Sequence, residues 1–415
     1  MQASDFNPFS PTVRANPYPY YEVLRETAPV YWNEQLRVHL VSRFEDVLFV
    51  TKSPALFSSK RSLVREEQYA AAETVAPVLV GTLRRGSMLT ADPPIHTRLR
   101  NLVSRAFTPR RVADMEPFIR RLSRELISQL PESGEFDLMK ELAEPLPIIV
   151  IAEMLGVEPA RRLDFKRWSD DTVASTTVLL NGGDPALVEP GIREMRDYLE
   201  GVIAARRKEP RDDLISALLE NGEKEGVLTA ETVVDFCRLL LVAGNETTTN
   251  LLGNGMRALL SNPEQLERLT AEPALIPNAV EEMLRYDSPV QAVSRYVLQD
   301  VEIAGTRIPA GSNVMTLLGS ANRDPRKYTD PERFDVTRNA QGMVSFGHGI
   351  HFCLGAPLAR LEAKVALEEL LEPGRRFSFA PGQRERVEIT NHFSIRGPKA
   401  LRLRAEATGP VRATA

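Results

Sequence analysis

The stretch FGHGIHFCLG, residues 346–355, puts three glycines, two histidines and one of the chain's two cysteines into ten positions, just ahead of a strongly helical run. Glycine at that density marks backbone that turns tightly or comes close to a flat ligand. A cysteine at the mouth of a helix sits where backbone N–H groups and the helix dipole favour a thiolate over a thiol. The combination points to a one-sulfur ligand for a metal or cofactor, with Cys353 as donor. Zinc is the competing reading, through His348, His351 and Cys353. The spacing H-x2-H-x-C is too cramped for the usual tetrahedral site, and no second ligand cluster follows it.

The remainder of the chain bounds what such a site belongs to. At 415 residues it has room for one large domain or two to three ordinary ones. A net charge of −4 gives no overall bias toward nucleic acid or anionic membrane. The first twenty residues hold no apolar run behind a basic flank, so neither a signal peptide nor an anchor is expected. No stretch reaches the apolar length that spans a bilayer. Cys237 and Cys353, with no CxxC, argue against a disulfide framework, and Cys237 reads as a buried structural thiol. A cytoplasmic protein is the expectation.

No repeat or linker divides the chain. A helix near residues 17–27, a hairpin through 30–41 and a helix near 44–51 open it, and helical periodicity dominates residues 110–272 with stops at Pro131, Pro159, Gly182–Gly183 and Gly222. Short strands with turn residues follow Pro289, and residues 322–344 carry little regular signal. Strands and turns return near the C-terminus, and fraying is expected from about Ala405. The expected class is mainly α with minor β, as one domain over residues 1–415.

Three other segments carry chemistry. A helix from Thr229, which can cap it, to about Leu260 is apolar nearly all round from Phe236 to Ala243, so it is buried. Glycine and threonines then interrupt it as Gly244-Asn245-Glu246-Thr247-Thr248-Thr249. A buried carboxylate needs a partner or a function. Glu246 and Thr247 therefore read as an acid–alcohol pair handling protons, against the plainer reading of a helix surfacing halfway or threonines bonding back to their own carbonyls. Glu282 and Arg285, at i and i+3, can form a bidentate pair, with Arg333 of the PERF run as a third member. Such pairs are usually solvated surface bridges. The segment DPPIHTRLRNLVSRAFTPRR holds His96, Arg98, Arg100, Arg105, Arg110 and Arg111 with no acid between Asp92 and Asp114. It is a basic face, and no nucleic-acid-binding motif accompanies it.

Taken in order, these segments resemble the cytochrome P450 family in its soluble bacterial form, near its macrolide hydroxylases. The haem-loop pattern FxxGx[H/R]xCxG is met by Phe346, Gly349, His351, Cys353 and Gly355. The ExxR pair falls on Glu282 and Arg285, the PERF-type arginine on Arg333, and the [A/G]Gx[D/E]T motif on Ala243, Gly244, Glu246 and Thr247. The resemblance implies a single haem domain with a long central helix over haem b and small sheets near the N-terminus and in the last third. It implies Cys353 as axial thiolate, which favours O–O cleavage, and His96, Arg100, Arg295 and His351 on the haem propionates. It implies Glu282, Arg285 and Arg333 as a brace for the loop, and Glu246 and Thr247 as a proton relay in dioxygen activation.

The function so implied is a monooxygenase, an oxidoreductase placing one oxygen atom of O2 into a C–H bond or C=C of an apolar small molecule. A separate ferredoxin system would supply electrons, docking on the basic face. A monomer without membrane or nucleic-acid partners is expected. Peroxide-driven relatives typically lack the acid–alcohol pair, and a haem sensor would need an output domain. Val78, Leu79, Val80, Leu83, Leu179, Leu180, Val290, Ala292 and Phe393 are candidate pocket residues, suggesting a polyketide, terpenoid, steroid or fatty acid. The loop before Gly86 and the break at 181–183 are candidate lids.

Overall fold

The computed structural model describes residues 1–60, 66–180, 183–225, 229–384, 386–390, 392 and 394–407. Among the described residues helices dominate, with ten strands in three small sheets. The chain divides into two compact units, one of residues 1–58, 113–146 and 247–415, the other of residues 59–112 and 147–246.

The first unit carries every strand. Its opening segments fold as read, into a helix Tyr18–Thr27, strands β1 (Val30–Asn33) and β2 (Val38–Val41), and a helix Phe44–Lys52. The further strands are β3 (Phe57–Ser58), β4 (Gly134–Asp137), β5 (Ala292–Val297), β6 (Val301–Ile303), β7 (Thr306–Ile308), β8 (Asn313–Leu317), β9 (Arg375–Phe379) and β10 (Arg402–Ala407). The main sheet has the order β1-β2-β8-β5-β3, parallel only where β2 meets β8, with Leu40 opposite Met315. One face of this sheet packs on Phe44, Val47 and Val50 of the helix Phe44–Lys52. The other meets Tyr18, Tyr21 and Leu24 of the helix Tyr18–Thr27. Successive side chains point to opposite faces and both faces are covered, so along β8 Val314 packs with Phe44 while Met315 packs with Tyr18. The hairpin β6–β7 turns through Ala304 and Gly305, both at positive φ as a two-residue hairpin turn requires.

The second sheet has the order β4-β10-β9. It corrects the expected fraying point: the last strand holds to Ala407, because Leu403 and Ala405 are buried and paired with Phe379 and Phe377. Residues 408–415 lie outside the described residues.

Helices build the second unit. Residues before Gly86, expected as a loop, form helices Glu66–Glu73 and Pro77–Arg85. The carboxylate of Glu189 accepts from the Val78 and Leu79 N–H groups at 3.2 and 2.9 Å, which satisfies donors the first turn leaves open. Gly222 does not stop a helix; Leu214–Glu225 runs through it. The expected break at 181–183 has its first two residues outside the described set. The long helix spans Ala230–Ser261, with Thr229 Oγ1 accepting from Thr232 N–H at 3.2 Å as its cap. It passes unbroken from one unit to the other at Glu246–Thr247. Among the described residues no helix is long and apolar enough to cross a membrane.

Candidate functional site

Residues 346–355 fold as a pinched loop that feeds the helix Ala356–Leu370. Cys353 N–H donates to Phe346 O at 2.9 Å, closing the loop, and Phe352 N–H donates to Gly349 O at 3.1 Å. Gly349 sits at φ +70° with backbone so close that a Cβ there would meet Thr51 O at 2.5 Å. Only glycine fits that approach. Phe346 packs edge-on to Phe352, with the Arg360 guanidinium 4.5 Å over its ring. The Cys353 side chain is partly exposed, whereas Cys237 is 1% exposed and its thiol is pushed far up by burial. Of the two sulfurs, only Cys353 is placed to act as a ligand. Among the described residues no three His, Cys, Asp or Glu side chains converge as a metal cage.

The loop is held from behind by a buried polar network. Glu282 and Arg285, on the helix Ile276–Tyr286, are both 0% exposed and paired twice, Arg285 Nε to Oε2 at 2.7 Å and Nη2 to Oε1 at 2.8 Å. Two charges this deeply buried persist only with every donor and acceptor used. Arg285 Nη1 donates onward to Asn322 O at 3.0 Å, and Asn322 spends its amide on the loop's entry: Oδ1 accepts from Val344 N–H at 2.8 Å and Nδ2 donates to Ser345 Oγ at 2.7 Å. The brace is thus a continuous chain of hydrogen bonds from the ion pair to the cysteine loop.

Its third cation is not the expected one. The Arg333 side chain is 65% exposed and lies 3.9 Å from Asp335, and Arg333 serves the network through its carbonyl alone. Arg338 takes the place, with Nε 3.2 Å from Glu282 Oε1 and its two Nη atoms on the carbonyls of Thr329, Asp330 and Arg333. Residues 329–338 form turns, and their carbonyls need a multi-toothed donor. Arg338 reaches inward from the end of that turn, while Arg333 points out. No periodicity in the sequence marks the difference.

The long helix presents one open face. Ala243, Glu246 and Thr247 are exposed or partly exposed, while Leu240, Leu241, Asn245 and Thr248 around them are buried. Asn245 Nδ2 donates to Ser169 Oγ at 3.1 Å, and Thr249 Oγ1 donates to Ala143 O at 2.9 Å. Thr249 therefore bonds to a neighbouring segment. Gly244 lets Ile151 approach, since a Cβ there would meet Ile151 Cδ1 at 2.7 Å. Glu246 Oε2 is buried without a hydrogen-bond partner, and its carboxyl is raised by burial and by Asp170, against Lys166, which lowers it. A carboxyl in that condition keeps its proton to higher pH than an exposed glutamate, which suits a proton donor. Lys166 and Asp170, themselves an ion pair at 2.8 Å, gave no signal in sequence.

The expected propionate partners divide between the units. His351 ends a short 3-10 turn, Gly349–His351, and Arg295 lies on β5, both in the first unit. His96 and Arg100 lie one turn apart on the helix Ile95–Ala106 of the second. His96 is 2% exposed; burial and Arg100 hold its imidazole below the usual value, so it is neutral and can donate one hydrogen bond.

The described candidate pocket residues each pack in an apolar cluster. Leu79 is buried with Ala76, Val188 and Ile192, with Val78 and Leu83 against them. Leu179 and Val80 pack with Tyr69 and Ala72. Ala292 belongs to the sheet core with Tyr18, and Val290 packs against the other sheet face. Aliphatic side chains on amphipathic helices meet partner helices first, and the sequence pattern alone does not separate that from a cavity wall. Phe393 and the side chain of Leu180 lie outside the described residues.

A single accessible sulfur in a glycine loop, braced from behind, defines a class: proteins that offer one thiolate to a flat cofactor. The comparisons name the family. The cytochrome P450 family model matches residues 188–404. The chain is 41% identical to the cytochrome P450 monooxygenase PikC of Streptomyces venezuelae over 399 residues, covering 94% of this chain and 91% of that one. It is 42% identical to vitamin D(3) 25-hydroxylase of Pseudonocardia autotrophica over 387 residues, 91% of each. The solved structure of cytochrome P450 CYP109Q5 from Chondromyces apiculatus superposes with a TM-score of 0.85 at 42% identity, covering 98% of this chain and 99% of that one. The chain belongs to the cytochrome P450 family, and it is a monooxygenase whose cofactor is haem b.

Proposed function

We propose that this protein inserts one oxygen atom of O2 into a C–H bond or C=C of an apolar molecule of sterol or macrolide size, taking its electrons from a separate ferredoxin. Cys353 is the haem ligand on this reading, and His96, Arg100, Arg295 and His351 are the propionate partners. The residues fit the group in chemistry: the donor is one soft sulfur, the loop is glycine-pinched, and an imidazole and two guanidiniums are the group types that bind carboxylates. Bound haem supplies the oxygen chemistry. The chain's own part is to hold the thiolate, exclude bulk water and deliver protons.

The observation that carries the reading is Glu246, a buried carboxyl with a free Oε2 beside Thr247 on the open face of the long helix. A carboxyl oxygen buried without a partner is costly unless it works. The names of the relatives support the substrate class, since one acts on vitamin D(3) and another is the monooxygenase PikC. Arg105 and Arg110 lie on the exposed side of the basic segment, a suitable face for an acidic iron–sulfur protein.

The test is turnover under isotopically labelled dioxygen with ferredoxin, its reductase and a nicotinamide donor. One labelled atom should enter the product and the other should leave as water. In Thr247→Ala, electron consumption should continue while product per electron falls at least severalfold. Unlabelled product, or unchanged coupling in the variant, would contradict the proposal.

A further inference from the structure

Three consecutive residues of the long helix, all in the second unit, meet different surroundings. Gly244 lies under the helix Pro145–Met154, where a Cβ would come within 2.7 Å of Ile151 Cδ1. Asn245 is buried, and its Nδ2 donates to Ser169 Oγ at 3.1 Å on the helix Arg162–Leu180. Glu246 follows, with Oε2 buried and without a hydrogen-bond partner. Successive residues of a helix point about 100° apart, so fixing the direction of Asn245 also fixes that of Glu246.

The far end of the bond is placed to matter. Ser169 is 0% exposed and shares a helix face with Phe165, Trp168 and Thr172, all buried. Lys166 stands three residues before it and Asp170 directly after it, paired with each other at 2.8 Å. Among the described residues these two are the charged groups that act on Glu246. Burial raises the Glu246 carboxyl most, Asp170 raises it further, and Lys166 lowers it. One hydrogen bond thus joins the turn that carries the acid to the turn that carries its charged neighbours. Two apolar side chains of the same shape can replace a buried hydrogen-bonded pair at almost no cost in stability. What a polar pair adds is register, because a buried donor and acceptor are both satisfied in only one relative setting of their helices.

We infer that Asn245 and Ser169 are positioning residues for proton delivery: their bond locks the long helix to the helix Arg162–Leu180 in the setting that holds Glu246 beside Lys166 and Asp170, closed to water. This inference rests on the reading of Glu246 as a proton donor and names what keeps it one. Without the bond the two helices are free to roll apart, water reaches the carboxyl, and Asp170 withdraws. Both changes remove what raises Glu246, and they outweigh the loss of Lys166, the least of the three influences. The acid then releases its proton at lower pH.

The test is an infrared titration of the haem-loaded protein, which reads Glu246 without turnover. Wild type should show a protonated-carboxyl band that is absent from Glu246→Gln and fades as pH rises. Asn245→Leu and Ser169→Ala should each lower the pH of that fade by about half a unit, a change of about threefold in proton affinity. Ser169→Ala removes only a hydroxyl, so the fold has least to lose there. The exchange of the two residues, Asn245→Ser with Ser169→Asn, keeps an amide and a hydroxyl between the same turns and should return the fade toward wild type. Melting temperatures of the same samples separate packing from positioning. The inference is overturned if the single variants melt lower but fade at the wild-type pH, or if the exchanged pair is shifted as far as they are. A carboxyl band unaltered in Glu246→Gln would instead remove the proton-donor reading itself, so the two failures are distinguishable.

Discussion

Replacing Arg338 by alanine tests the brace where sequence and structure disagree. The side chain is 12% exposed and gives Glu282 one charge-assisted bond at 3.2 Å, plus three bonds to the carbonyls of Thr329, Asp330 and Arg333. A hydrogen bond to a charged group contributes about 1.5–3 kcal/mol, and the three carbonyls sit at the surface where water replaces most of what they lose. Glu282 keeps both bonds from Arg285 and one from Asp335 N–H at 3.0 Å, so it is not stranded. The loss is then about 2–3 kcal/mol, below the 3–5 kcal/mol of a buried charge left alone. At about 2 cal/mol/K of unfolding entropy per residue, that lowers the melting temperature by about 3 °C. Arg333→Ala removes an exposed contact at 3.9 Å and should cost under about 1 kcal/mol. Melting of the haem-loaded variants, followed in parallel by circular dichroism and the Soret band, compares them. If Arg333→Ala is as damaging as Arg338→Ala, or Arg338→Ala melts with wild type, the assignment of the third cation is wrong.

The cysteine loop should be equally sensitive at Gly349: alanine there combines φ +70° with a Cβ 2.5 Å from Thr51 O, so it should lose about 1–3 kcal/mol and purify with less haem per chain than wild type. Glu246 has a raised carboxyl, so the folded state keeps that proton after the unfolded chain has released it. Its contribution to stability is therefore full at acid pH and declines as pH rises from the ordinary glutamate value toward the raised one; Glu246→Gln should flatten that decline in pH-dependent denaturant titrations. Lys166→Gln removes the cation that lowers the group and should shift the same decline to higher pH. Charge reversal at Arg105 or Arg110 should slow reduction by ferredoxin severalfold at low salt, with the difference fading as ionic strength rises; equal rates at low salt would remove the docking face.

Much of the site was legible because its chemistry demands particular residues at fixed spacing. A thiolate loop needs glycines where the backbone crowds, and Gly349 against Thr51 O is that need in atomic form. The Glu282–Arg285 pair was readable because i and i+3 share a helix face. What escaped notice was set by tertiary contact. Arg338 and Arg333 are both arginines in one unpatterned turn, and only the fold decides which points inward. Leu79 and Leu179 pack against neighbouring helices, a demand that looks the same in sequence as a cavity wall.

The central claim is that Cys353 is the sulfur on the haem. Its most direct test is the Soret band of the ferrous carbon monoxide complex in Cys353→Ser and Cys237→Ser, prepared alongside wild type. Wild type and Cys237→Ser should share the strongly red-shifted band of thiolate-ligated haem, because Cys237 is buried at 1% exposure and takes no part. Cys353→Ser should lose that band entirely, either moving to the position of haem without a thiolate or failing to retain the cofactor. A red-shifted band that persists in Cys353→Ser, or disappears in a folded Cys237→Ser, would contradict the assignment on which the account is built.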